Sequence, residues 1–104
     1  MIEATSDSFQ EETSTGRVLV DFHGQSCAPC RAMGMILKNC EQELEEKCIR
    51  IVKVDINECP DIAEDFGVSS IPAICILENG ERVDGFVGMR TKGQIMSVID
   101  GALR

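Results

Sequence analysis

No apolar run in this 104-residue chain approaches the length needed to cross a bilayer, which argues against a membrane-spanning protein. The N-terminus, Met1 to Asp7, is acidic and lacks the basic start and apolar stretch of a secretory signal, so a cytoplasmic protein is expected. Cationic residues are scarce. Ten Lys and Arg stand against eighteen Asp and Glu, and the net charge of -8, with no basic cluster, disfavours nucleic acid and anionic membranes as partners. Linkers, internal repeats and low-complexity tracts are absent, so residues 1–104 are expected to form a single domain. With 43% hydrophobic and 27% charged residues, that domain has enough core to need no disulfide staples. Irregular spacing of the six cysteines fits reduced thiols plus one active pair better than a secreted disulfide framework.

That pair is Cys27-Ala28-Pro29-Cys30. It follows the apolar run Val18 to Phe22 and opens a segment, Arg31 to Leu44, whose apolar residues recur at helical spacing. A cysteine at a helix start faces unpaired backbone N–H groups and the positive end of the macrodipole, which favour its thiolate. Cys30 lies about one turn further on, within reach of a mixed disulfide formed at Cys27. The chain therefore carries both halves of a dithiol–disulfide exchange. A zinc site built on the same cysteines is the competing possibility, but no second pair has ligand spacing.

Patterning supplies the frame around the dithiol. A short strand is expected at Ile2 to Thr5, and a short helix from Ser6 to Glu12, anchored by Phe9 and capped by Ser6 or Asp7. Val18 to Phe22 and Ile49 to Ile56 read as buried strands flanking a helix with Met33, Ile36, Leu37, Cys40 and Leu44 inward, a βαβ unit with parallel strands. Pro60 to Phe66 is expected to be helical and to stop at Gly67. Ala73 to Leu77 and Arg82 to Val87 flank Asn79-Gly80, a hairpin signal. Thr91 caps a last helix with Ile95, Ile99 and Ala102 or Leu103 on its apolar side.

This order, with the strings Val20-Asp21-Phe22, Lys53-Val54-Asp55, Ile71-Pro72-Ala73, Glu78-Asn79-Gly80-Glu81, Val87-Gly88 and Lys92-Gly93-Gln94, resembles the thioredoxin family over nearly the whole chain. The resemblance implies an α/β thioredoxin fold, a five-stranded mixed sheet flanked by four helices, and protein disulfide reduction. It makes Cys27 the attacking thiol and Cys30 the resolving thiol, their disulfide being the redox centre without further cofactor. Asp21 matches the buried carboxylate beneath the dithiol, a proton acceptor for Cys30, and Lys53 matches the basic residue beside it. Pro72 matches a cis-proline that sets the Ile71 backbone against the dithiol, and Gly88 borders the same groove. Ser26, Ala28 and Pro29 complete the expected substrate-contacting rim. Implied partners are a thioredoxin reductase or equivalent electron donor and disulfide-containing proteins, met by a monomer.

The departures cluster beside the dithiol. The family's two tryptophans are missing, with His23 and Ser26 at the corresponding positions, so the groove is expected to be less apolar; a binding protein with a narrow partner set is the alternative this suggests. Ala28 replaces a glycine and should stiffen the turn. His23, the only histidine, is expected to titrate near the pair, to orient Asp21 or to be a solvated polar filler. Cys40 and Cys75 read as core and Cys48 as buried or half-buried filler. Cys59, before Pro60, is expected to be a helix N-cap, either a regulatory thiol or an inert surface cysteine.

Overall fold

A computed structural model describes residues 1–103 as β1 (Ile2–Glu3), α1 (Phe9–Thr13), β2 (Arg17–His23), α2 (Ala28–Glu46), β3 (Ile49–Asp55), α3 (Pro60–Asp65), β4 (Ala73–Glu78), β5 (Glu81–Val87) and α4 (Lys92–Ala102). The strands form one sheet in the order β1-β3-β2-β4-β5. β1, β3 and β2 run parallel, while β4 is antiparallel to β2 and β5 to β4, which gives the mixed five-stranded sheet with four helices that the sequence led us to expect.

Alternation along β2 divides the core. Leu19 faces α2 and α4 together with Met33, Leu37, Cys40, Leu44, Ile95 and Ile99. Val18, Val20 and Phe22 face α1 and α3, where Ile62, Phe9 and Phe66 close the other side. Side chains on a strand alternate between faces, so a strand buried on both must be apolar almost throughout, and Asp21 is the exception in β2. The turn between β4 and β5 has positive φ at both Asn79 and Gly80, as a two-residue type I′ hairpin demands, and Asn79 also exchanges hydrogen bonds with Gly16. Thr91 and Gln94 form a reciprocal capping box at the start of α4.

Several local expectations are corrected. α1 begins at Phe9 rather than Ser6, because Thr5 and Ser8 exchange side-chain-to-backbone hydrogen bonds of 2.9 and 3.1 Å that hold the chain in a turn first. The Ser6 hydroxyl donates instead to Asp61 on α3. β1 ends at Glu3, with only the Ala4 N–H reaching onward to the Lys53 carbonyl. Cys48 is exposed, since α2 runs on to Glu46 and Cys48 becomes the left-handed residue, φ 60°, that reverses the chain into β3. Cys59 is 1% exposed, packed in the α1/α3 core with its thiol directed at the Ala4 carbonyl, and its side chain caps nothing. Neither a regulatory thiol nor a surface cysteine describes it.

Cys40 and Cys75 are buried as expected, and burial pushes both thiols up from their ordinary pKa, which keeps them protonated and unreactive. Cys40→Ala and Cys75→Ala should each lower unfolding free energy by about 1–2 kcal/mol, the range for losing a small buried group, and leave disulfide-reduction rates unchanged. Denaturant unfolding beside a turnover assay checks this. Lost activity at unchanged stability would place either cysteine in the chemistry.

Candidate active site

The dithiol stands where β2 ends and α2 begins. Past His23 the chain turns through Ser26, a non-glycine residue in the left-handed region at φ 57°, and Cys27 then takes an extended conformation as the N-cap of α2. Cys27 Sγ accepts the Cys30 N–H at 3.2 Å, so the sulfur sits on the unpaired donors of the helix start. Ala28 opens the helix, and Pro29 lies in the first turn, where its missing N–H breaks no helical bond. Cys27 and Cys30 are disulfide-bonded, their Cα atoms 5.2 Å apart. Cys27 is half-buried whereas Cys30 is 4% exposed, so the two sulfurs differ sharply in what can approach them.

Ile71 and Pro72 reach the same end of the sheet. Their peptide bond is cis, Pro72 is buried, and Ile71 precedes β4 outside its ladder. The Gly88 N–H donates to the Pro72 carbonyl at 2.8 Å, with Gly88 at φ 91°, a conformation that favours glycine. Two braces of this corner escaped the sequence. A Cβ at Gly24 would lie 2.6 Å from Ile71 Cδ1, so the missing side chain at position 24 is what lets Ile71 pack beside the dithiol loop. Asn57, in the loop after β3, accepts the Gln25 N–H at 3.1 Å and is itself held by Asp55, which accepts the Asn57 N–H at 2.8 Å. A glycine between a strand and a Cys-x-x-Cys was the available hint for the first; the second left no sequence signal.

Asp21 lies under the dithiol loop on the α2 side of the sheet. It is 0% exposed, and among the described residues no protein group hydrogen-bonds to either carboxyl oxygen. Burial raises its pKa to about 6; His23 and Lys53 pull it down, in that order, and Glu3 adds a smaller upward push. These neighbours form a band across three strands, because Lys53 is in register with both Asp21 and Glu3, and His23 shares the Asp21 face of β2. His23 is neither a solvated filler nor a hydrogen-bonding orienter of Asp21. Its Nε2 lies 3.0 Å from the Glu3 carboxylate. Cys30, His23 and Lys53 share the wall of one cavity of about 410 Å³, and Asp21 stands beside Lys53 in register. Among the described residues no three His, Cys, Asp or Glu side chains converge as metal ligands, and no helix is long and apolar enough to cross a membrane.

The family model for thioredoxin matches residues 1–101. The chain belongs to the thioredoxin family. It is 37% identical to the thioredoxin of Bacillus subtilis over 100 residues, covering 96% of this chain and 95% of that protein. It is 40% identical to the thioredoxin of Listeria monocytogenes over 98 residues, covering 94% of each. A further thioredoxin, from Chlorobaculum thiosulfatiphilum, is 39% identical over 100 residues, 94% of this chain and 92% of that one. Family membership across this span, with the cysteine pair at the head of α2, makes the chain a protein disulfide reductase of the thioredoxin type.

The Asp21 pKa sets a pH signature of stability. Its native value of about 6 exceeds the ordinary 3.8, so the fold favours the neutral acid and burial costs nothing below about pH 4. As pH rises through that window, ionisation opposes folding increasingly, up to roughly 3 kcal/mol once pH exceeds about 6. Asp21→Asn should remove this dependence and leave the oxidised protein more stable than wild type at neutral pH. Denaturant titrations across the window measure it; a variant less stable at pH 7 would mean that the carboxylate is structurally required.

Proposed function

We propose that Cys27 is the attacking thiolate of protein disulfide reduction, Cys30 the resolving thiol and Asp21 the group that accepts the Cys30 proton. The unequal exposure of the two sulfurs carries this assignment, since a protein substrate can meet the half-buried Cys27 but not Cys30. In the reduced protein, Cys27 attacks one sulfur of the substrate disulfide, forming a mixed disulfide and expelling a substrate thiolate. Cys30 gives its proton to Asp21 and attacks Cys27 Sγ, releasing the second substrate sulfur and leaving the Cys27–Cys30 disulfide. Two electrons have then passed to the substrate.

Asp21 suits this step because a carboxylate whose pKa lies near the working pH is mostly ionised yet basic enough to take a proton. Lys53 and His23 keep that pKa from rising further. Ile71, beside the cis-proline, offers backbone for an extended substrate segment, with Ser26, Ala28, Pro29 and Gly88 bordering the approach. The disulfide is the redox carrier without an added cofactor. A separate donor, a thioredoxin reductase or its equivalent, returns two electrons and two protons, and cytoplasmic disulfide proteins are the targets of the monomer.

Cys27→Ser should abolish reduction of a protein disulfide such as that of insulin, whereas Cys30→Ser should keep the first attack and accumulate mixed disulfides, visible by mass spectrometry. Asp21→Asn should slow resolution about 100-fold, the lower end for general-base catalysis, and change the first attack much less. Rapid-mixing kinetics separate the two steps. Equal trapping by both cysteine variants would reverse the thiol roles, and an unchanged resolving rate would remove Asp21 from the reaction.

A further inference from the structure

The cavity beside Cys30 has a charge opposite to that of the protein. Its wall includes Arg31, Lys38, Lys53 and His23 and no acidic side chain, although the chain carries -8 overall. The other cations are mostly engaged. Arg17, Lys47 and Lys92 pair with Glu78, Asp100 and Glu43, while Arg50 and Arg90 donate to backbone carbonyls. Among the described residues Arg31, Lys38 and Lys53 make no ion pair, even though Lys53 is in register with Asp21 and Glu3. Arg82 on β5 is also unpaired, but it stands apart from this cavity.

The arrangement of α2 sharpens the point. Arg31 and Lys38 lie seven positions apart, two turns along the same side, with Met35 between them at 70% exposure. The helix's carboxylates Glu41, Glu43, Glu45 and Glu46 crowd its C-terminal end, and its first turn holds no acid. The macrodipole favours the reverse placement, so this pattern works against the helix and concentrates positive potential at the dithiol. Lys53 reaches the same place from below, its Nζ 4.0 Å from where a Cβ of Gly34 would stand.

We infer that this cavity docks an acidic segment, with an apolar neighbour on Met35, of the disulfide-bearing protein that the dithiol reduces. The inference rests on the exchange reaction proposed above and names the class of substrate it selects. Charge complementarity at an otherwise acidic surface steers such a segment toward the dithiol, and a flexible thioether accommodates varied side chains.

The test uses two peptides, each with one intramolecular disulfide, identical except that a run of Glu beside the disulfide in one is Gln in the other. The rate of first attack is measured for reduced wild type and for Arg31→Gln/Lys38→Gln. The net charge alone makes the Glu peptide the slower substrate. Local docking makes it the faster one, by about tenfold at low ionic strength, with the advantage fading as salt rises to about 0.5 M. The double variant should lose the preference, read as the ratio of its own rates on the two peptides so that any general change in thiol reactivity cancels, and Arg31→Lys/Lys38→Arg should retain it. Equal or slower attack on the Glu peptide by wild type, or a preference surviving in Arg31→Gln/Lys38→Gln, overturns the inference. So does abolition of the preference by low millimolar inorganic phosphate at matched ionic strength, which would mark a small-anion site. Failure of wild type to reduce even the Gln peptide would overturn the exchange reaction itself, and this inference with it.

Discussion

The burial of β2 on both faces and both edges is the constraint from which the site follows. β3 and β4 take its backbone hydrogen bonds on either side, and the α2/α4 and α1/α3 layers cover its faces. A strand so enclosed cannot slip, because a one-residue shift would move Leu19 and Asp21 into the face occupied by Val18, Val20 and Phe22. Its C-terminal end is therefore a fixed point. The chain leaves it through a few residues and enters α2 with Cys27 as the cap, so the position of the Cys27 sulfur is inherited from the sheet.

The same enclosure gives Asp21 its chemistry. A buried carboxylate to which no described protein group hydrogen-bonds is a liability for folding, offset in part by His23 and Lys53 on its face of the sheet. Glu3 tempers that help by engaging His23. The result is a group poised between its ordinary acidity and full suppression of its charge. Nothing in the helix above needs to move for this; the balance is built from residues in register on three adjacent strands.

How much could be read in advance tracked the range of the interactions. The dithiol at a strand-to-helix junction, the Asn79-Gly80 hairpin and the Thr91 cap are local patterns, and each stands where the sequence placed it. The core stripe of α2 was legible for the same reason, since period 3.6 needs no partner to be seen. What escaped depends on residues far apart in the chain. The Glu3–His23 pair spans 20 positions, the Asn57–Gln25 brace 32, and the contact that buries Cys59 against Ala4 spans 55. The exposure of Cys48 has a more local cause. α2 runs to Glu46, two residues past the expected Leu44, which leaves Cys48 in the exposed turn before β3.

The missing tryptophans bear on the proposed recognition of substrates, since both cysteines of the dithiol are present. Where the family places aromatic side chains, this chain has His23, drawn to Glu3, and Ser26, exposed in the turn before Cys27. Apolar contact at this end of the molecule falls instead to exposed Met35, Val87 and Met89, which border the dithiol corner on α2, at the end of β5 and in the segment after it. Two of these three are methionines, unbranched and polarisable, able to fit surfaces of different shape where a rigid indole would select one. Orientation must then come from elsewhere. The cations of α2 and β3, which make no ion pair among the described residues, would supply through the inferred docking a directional element that flexible apolar contacts lack, moving specificity from ring packing toward charge.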